Sequence, residues 1–133
     1  MRTATTIIQI VIRVLGPIMI VLGLLFWIGN ALNFIGLHML IGMTLVLLIW
    51  ALSIMAARSG VGLGLVALGL VWGLIVVALG MTQTRLLPGD FHWVIKALHL
   101  LVGIAALGIA ERLAGSIKHS GAAKAQQNTM VPS

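Results

Sequence analysis

The chain has 133 residues, of which 61% are hydrophobic and 8% are charged, and its mean hydropathy is +1.20. A soluble domain of this size needs a polar surface that this composition cannot supply, so a water-soluble fold is excluded. The absence of cysteine excludes disulfides and thiolate metal sites. The net charge of +6 does not indicate nucleic-acid binding, because the basic residues lie near the ends of apolar segments.

Four apolar segments follow one another along the chain, and each is long enough to cross a bilayer, which takes about 20 largely apolar residues. The sequence therefore predicts an all-α integral membrane protein, a four-helix bundle surrounded by the lipid bilayer. Residues 1–117 form the predicted membrane domain, and the small polar residues of 118–133 predict a disordered cytoplasmic tail. The predicted spans are residues 11–31, 34–57, 60–81 and 93–115.

Basic residues are concentrated on one side of the predicted bundle. Six lie on the side of both termini, whereas Arg85 and Lys96 lie on the other side, offset partly by Asp90. The positive-inside tendency predicts that both termini are cytoplasmic, in a multi-pass protein of a bacterial-type inner (plasma) membrane. The six basic residues are Arg2, Arg13, Arg58, Arg112, Lys118 and Lys124.

Two phrases recur with a histidine in the second and fourth spans. GLHMLIGM (36–43) and ALHLLVGI (97–104) share Leu, His, Leu and Gly at an offset of 61 residues. GPIMIVLG (16–23) and GLGLVALG (62–69) each begin and end with glycine, at an offset of 46. Chance matches are common among leucines and glycines, but histidine within a span is rare. We interpret the pattern as two parallel helical-hairpin repeats, related by a pseudo-twofold axis along the membrane normal.

The repeat predicts that His38 and His99 lie at one depth, on opposite sides of that axis. Two neutral imidazoles facing each other across a four-helix core are the arrangement that axial ligation of haem iron requires. Gly42 and Gly103 each follow a histidine by four residues, so they lie one turn away on the same face and could admit a flat macrocycle. The same role is predicted on the first and third spans for Gly16, Gly23, Gly62 and Gly69.

Cationic side chains lie on the outer side of the predicted site. His92, Lys96 and His99 follow at spacings of four and three, on one face of the fourth span. Lys96 and His92 could pair with haem propionates, and Arg85 in the connection is a further candidate. Equally, Lys96 could be a plain interfacial anchor and His92 a residue of the helix start. His92 could also replace His99 as a ligand, because seven residues return it to nearly the same face.

Other metals and other polar residues offer alternatives to this interpretation. Histidines also bind copper or zinc, but a compact site wants a third or fourth ligand, and the outer half offers only Asp90. Glu111 is the only acidic residue within a predicted span, and it is expected to pair with Arg112 or to contact Arg13. A facing pair of histidines therefore favours a large planar cofactor.

The chain resembles the cytochrome b561 type and related b-type cytochrome subunits in its histidines on alternate helices. The resemblance rests on LHML with Gly42 and LHLL with Gly103, within residues 11–115. Those families commonly hold two haems, but the cytoplasmic halves of the predicted spans contain no histidine, so the resemblance implies a single haem b near the outer face. It implies electron transfer with quinol or a redox protein, or haem sensing or handover if one ligand is labile.

The alternative is a non-redox membrane protein, such as a small transporter or an assembly subunit of a larger complex. Small multidrug transporters rely on an acidic residue embedded in the first helix, which is absent here. The sequence contains no nucleophile with a base, no phosphate loop and no paired carboxylates, so any enzymatic role is of the oxidoreductase type. The redox partner and the oligomeric state are left open, and an oligomer is compatible with the sequence.

Overall fold

The structure, a computed structural model, describes residues 1–130, and within them the chain forms four α-helices. All four are long and apolar enough to cross a membrane, so the predicted all-α membrane four-helix bundle is confirmed. A short 3-10 turn, Leu32–Phe34, precedes the second helix. Residues 131–133, the end of the predicted tail, lie outside the described residues. The helices are α1 (Arg2–Trp27), α2 (Ile35–Arg58), α3 (Leu63–Thr82) and α4 (His92–Met130).

The helices form an up-down-up-down bundle. Consecutive helices pack against each other, α1 also packs against α4, and α2 packs against α4 across the centre. Among the described residues α1 and α3 make no contact, so they occupy the two distant corners. The helices that carry the repeated histidine phrases, α2 and α4, therefore lie closest to the central axis.

The buried faces of the two hairpins show the same repeat. Buried positions of α2 return in α4 after 61 residues, which is the offset of the histidine phrases. Buried positions of α1 return in α3 after 57 residues, which fits the two parallel hairpins but not the predicted offset of 46. The matching pairs are Leu45 and Ala106, Ile49 and Ala110, Leu52 and Leu113, Ser53 and Ala114, Ala56 and Ile117, then Gln9 and Val66, Ile12 and Gly69, and Gly16 and Gly73.

The glycine phrase of α1 therefore has a different counterpart from the predicted one. GPIMIVLG (16–23) corresponds to GLIVVALG (73–80), and its predicted match with residues 62–69 is wrong. Two glycine pairs at the same spacing occur in the third span, so only packing distinguishes them. The second hairpin contains four more residues between its second glycine and its histidine, which accounts for the offsets of 57 and 61.

The hydrophobic core fills only one half of the bundle. We call the half that carries the 59–62 turn the core half, and the half that carries the 28–34 and 83–91 connections the histidine half. Buried residues of α2 begin at Leu45, seven residues after His38, and the continuous set in α4 begins at Val102. Of the described residues beyond the histidines, only Ile95 is buried. The histidine half is therefore loosely packed.

Both outer helices extend beyond the predicted membrane spans. α1 begins at Arg2, ahead of the span predicted from residue 11, and α4 continues to Met130 where a disordered tail was predicted from residue 118. The extensions support each other, because Thr5 and Ile117 are buried and the Lys118 ammonium donates to the Gln9 amide oxygen over 2.6 Å. Alanine and glutamine are also good helix formers, so no local signal ends α4 before residue 130.

The α2–α3 turn closes the core half. Ser59 caps the C-terminus of α2, and Gly60 follows with a φ of +80°. The amide of Gly60 donates to the Ala57 carbonyl, and the amide of Val61 donates to the Ala56 carbonyl. This is a Schellman motif, which needs the left-handed backbone that glycine adopts without strain.

A polar cluster joins α1 to α4 in the core half. The Arg13 guanidinium holds the Glu111 carboxylate through two hydrogen bonds of 2.7 and 2.9 Å. The Gln9 side-chain amide also donates to Glu111. Of the two predicted partners of Glu111, the contact with Arg13 is confirmed. Trp50 and Leu70 occupy the positions that the repeat relates to Glu111 and Arg13. There the Trp50 indole donates a hydrogen bond to the Leu70 carbonyl over 3.1 Å, across the α2–α3 interface.

Replacing Glu111 with glutamine should loosen α1 from α4. We expect the Glu111→Gln variant to unfold in detergent several degrees below the parent, because Arg13 loses the charged partner of both hydrogen bonds. The matched control is Arg112→Gln, which removes a neighbouring exposed charge. The double variant Arg13→Glu, Glu111→Arg exchanges the two charges, so it should recover most of the lost unfolding temperature. An equal decrease in the Arg112→Gln variant would contradict the assignment.

Candidate functional site

The two repeated histidines meet at the centre of the bundle. His38 of α2 and His99 of α4 have ring centroids 6.3 Å apart, with their planes inclined by 51°. Both side chains are half-buried. They occupy equivalent positions of the two hairpins, because the offset of 61 residues also relates the buried faces of their helices. The structure thus brings together the pair that the repeat predicted to lie at one depth.

Each imidazole has a nitrogen that the polypeptide does not use. The Nδ1 atoms of His38 and His99 are buried and, within the described residues, have no hydrogen-bond partner. Leaving a buried polar atom unsatisfied costs about 1–3 kcal/mol, and native proteins rarely do so without a functional reason. Two equivalent atoms of this kind, one on each histidine, make the pair the candidate site of this bundle.

Glycines of the outer helices face the two rings. A Cβ atom added at Gly23 of α1 would lie 3.8 Å from Cε1 of His38, and one at Gly80 of α3 would lie 3.4 Å from Cε1 of His99. Gly23 and Gly80 are related by the same 57 residues as the buried faces. Phe26 adds an edge-to-face contact with His38, with ring centroids 5.2 Å apart. Each histidine ring therefore lies beside a glycine of the helix that precedes it in its own hairpin.

Few atoms lie close to the two glycines that follow the histidines. A Cβ at Gly103 would meet no atom within 4 Å, and one at Gly42 would lie 3.1 Å from the terminal methyl of Met19. A methionine side chain is flexible and adapts readily. Gly42 and Gly103 therefore leave the space next to the histidine pair open or easily opened.

The predicted role of Gly69 and Gly62 beside the histidines is wrong. Gly69 is buried in the core half, where a Cβ would collide with the Ser53 hydroxyl and with a methyl of Leu113. Gly62 precedes α3 at the far end of the bundle, and Gly16 packs against Leu107. Gly69 and Gly16 thus serve close helix packing. Gly80, which lies beside His99, was missed in the sequence, although the GLIVVALG phrase at residues 73–80 carried the signal.

The predicted cations lie on the connection side of the histidine pair. Lys96 is half-buried one turn before His99 on α4, and among the described residues its ammonium has no polar partner. The Nδ1 atom of His92 lies 3.3 Å from the Leu86 carbonyl, so this ring ties the 83–91 connection to the start of α4. Arg85 is exposed in the connection. Lys96 is therefore the cation best placed toward a ligand held at His99.

The donor set limits what the pair could hold. Within residues 1–130 the structure contains no group of three or more His, Asp or Glu side chains that could bind a metal ion. A bare zinc or copper ion takes three or four protein ligands in most sites, which the bundle does not supply. The pair therefore suits a metal-containing cofactor that takes two ligands from the protein and supplies the remaining metal ligands itself.

Comparisons with known proteins add no relative. A scan against models of known protein families found no match to this chain, and searches of curated proteins and of solved structures found none either.

Proposed function

We propose that this protein is a small membrane cytochrome that binds one haem b between α2 and α4, with His38 and His99 as the axial ligands. The observation that carries the proposal is the facing pair of imidazoles, whose buried Nδ1 atoms have no partner among the described residues. A metal–nitrogen bond is about 2 Å long, so two imidazoles on one ion have ring centres roughly 6 Å apart. The centroid separation of 6.3 Å fits that requirement.

The packing around the pair supports a flat ligand. The histidine half has almost no buried apolar residues of its own, so filling it would complete the bundle. Every helix contributes a glycine near the pair, in two sets related by the repeat, and a missing side chain lets a macrocycle approach the backbone. The four glycines are Gly23, Gly42, Gly80 and Gly103.

Lys96 would neutralise a propionate of the bound haem. Its ammonium lies one turn from His99 on the connection side and is free of other polar partners within the described part of the chain. A charge-assisted bond to a carboxylate is stronger than a neutral one. Arg85, on the exposed connection, and His92, if it releases the Leu86 carbonyl, are secondary candidates.

The residues around the pair would hold the bound group in place. Bound haem would supply one-electron redox chemistry, and His38 and His99 would be its two protein ligands. His38 and His99 hold the group at the centre of the bundle, while Phe26 limits the motion of the His38 ring. The task we propose is electron transfer with quinol or a redox protein, as in cytochromes of the b561 type. Haem sensing or handover would follow if one ligand were labile.

The charge distribution sets the proposed orientation. Both termini and the basic end of the bundle lie in the cytoplasm, by the positive-inside tendency, so the haem lies near the outer face of a bacterial-type inner membrane. The core half of the described bundle contains no histidine within its packed interior. A single haem therefore exchanges electrons at one face and does not relay them across the bilayer.

The direct test is an absorption spectrum of the full chain, purified after expression with sufficient haem. We expect a Soret band that shifts on reduction, together with the sharp visible bands of six-coordinate low-spin haem. Pyridine extraction should yield one haem b for each chain. A folded protein with no Soret band would contradict the proposal and favour the alternative, a non-redox transporter or assembly subunit.

Filling the space at Gly80 should weaken haem binding without unfolding the bundle. In the Gly80→Leu variant the new side chain would press on the His99 ring, and overpacking of this kind should lower haem affinity about tenfold or more. Gly64→Leu is the matched control, because it makes the same change in α3 where a Cβ meets no atom within 4 Å. Haem titration of the apoprotein measures both. Equal affinity of the two variants would show that Gly80 does not border the haem.

A further inference from the structure

A second candidate site lies at the opposite end of the bundle. A groove of about 440 Å³ runs between the first turns of α1 and the distal part of α4. It is unrelated to the histidine pair, which lies in the other half. Five residues line it, namely Arg2, Thr6, Lys118, His119 and Ala122.

The cations near this groove outnumber the acidic side chains beside them. The chain contains two acidic residues, of which Glu111 is held by Arg13 and Asp90 lies in the connection of the histidine half. The Lys118 ammonium donates to the Gln9 amide oxygen, and the Arg2 guanidinium reaches the Lys118 backbone carbonyl over 3.4 Å. Both contacts are to neutral groups. Lys118 also attracts the Glu111 carboxylate that Arg13 holds, so Arg2, Arg13 and Lys118 together leave a net positive charge beside the groove.

The exposed Arg2 side chain lies beside α4, where it reaches the Lys118 backbone carbonyl. A Cβ atom added at Gly121 would lie 3.6 Å from Nε of Arg2, so the guanidinium lies against the backbone of α4. A planar guanidinium fixed in this way can present two N–H groups to the oxygens of one anion. The Thr6 hydroxyl lines the same groove and can act as a neutral donor.

We propose that the groove binds a phosphate-bearing anion, and that its place favours the headgroup of an anionic phospholipid. Basic pockets between helices at the membrane face are suited to such headgroups, because charge and hydrocarbon are available side by side. Arg2 and Lys118 contact the phosphate, and Thr6 donates a further hydrogen bond. Free inorganic phosphate shares this chemistry but lacks acyl chains to pack along the exposed apolar residues of α1, such as Ile7 and Ile10.

The test compares lipids on the delipidated full chain in a neutral detergent. Native mass spectrometry gives the dissociation constant of phosphatidylglycerol, with phosphatidylcholine and inorganic phosphate as separate arms. We expect phosphatidylglycerol to bind best, and the Arg2→Gln, Lys118→Gln double variant to bind it about thirtyfold more weakly, since each surface cation strengthens such binding about fivefold. Binding of inorganic phosphate alone, with the same dependence on both residues, would identify the free ion as the ligand.

Two further variants keep the test decisive. Arg58→Gln removes an exposed cation at the same end of the bundle but outside the groove, and it should leave the affinity unchanged. Ala122→Trp fills the groove without changing the charge, and it should weaken binding even if the double variant does not fold. An equal loss in Arg58→Gln, or full affinity in Ala122→Trp, would overturn the proposal.

Discussion

The His38→Ala, His99→Ala double variant should have no Soret band at all, even after expression with sufficient haem. The two rings lie 6.3 Å apart, and their buried Nδ1 atoms have no hydrogen-bond partner in the part of the chain that the structure describes, so their removal takes away both proposed iron ligands. Circular dichroism should still show the four-helix bundle, because the hydrophobic core lies in the other half. The measurement is the ratio of Soret to protein absorbance in the purified variant.

The single variants test the ligand assignment more finely. His99→Ala should lose as much haem as the double variant, because His92 lies seven residues before His99, about 10 Å away along the axis of α4. His38→Met should keep some haem with a higher reduction potential, since methionine is an alternative axial ligand. His119→Ala is the control, because His119 is exposed at the other end of the bundle. A normal spectrum in the double variant would refute haem ligation by this pair.

The Gly69→Ala variant should be the most destabilised of the single small-residue substitutions. The new methyl would collide with the Ser53 hydroxyl and with Leu113, both fully buried, and the collision would displace a hydroxyl that donates to the Ile49 carbonyl over 2.9 Å. Overpacking a well-packed core costs about 1–3 kcal/mol. The free energy of unfolding in mixed detergent micelles measures the change, and haem binding per folded chain should be unaltered.

Gly64→Ala is the matched control for this substitution. It makes the same change five residues earlier in α3, where a Cβ meets no atom within 4 Å. It should be neutral or slightly stabilising, because alanine forms helix better than glycine. Equal stability of the Gly69→Ala and Gly64→Ala variants would show that Gly69 is not at a close helix contact.

The pairing of the histidines could be predicted because histidine is rare within membrane spans. A single match of LHML with LHLL sets the offset of α2 and α4 at 61 residues, and the buried faces follow the same offset. The offset of α1 and α3 could not be found in the same way. Glycine and leucine are so frequent there that GLGLVALG and GLIVVALG match equally plausibly. Only the burial of Gly69 and the contact of Gly80 with His99 separate them.

The partner of Glu111 depends on how the helices pack. Arg112 is its neighbour in sequence, but successive helical residues point in different directions, and Arg13 reaches the carboxylate from α1. The length of α4 has a similar origin. Polar residues after 117 predict a tail, yet contacts of Lys118 with Gln9 and of Arg2 with the Lys118 carbonyl hold the distal part of α4 against α1.

The amino-acid sequence alone determines that this protein is a bundle of four membrane helices with two repeated histidines. Those properties are local, because the bilayer demands long apolar segments and because a rare residue is visible wherever it recurs. Which glycines border the histidines, which cation pairs with Glu111 and where the bundle is loosely packed depend on contacts between helices. Such contacts join residues that lie far apart in the chain, and the apolar surface of each helix is too uniform to specify them by pattern.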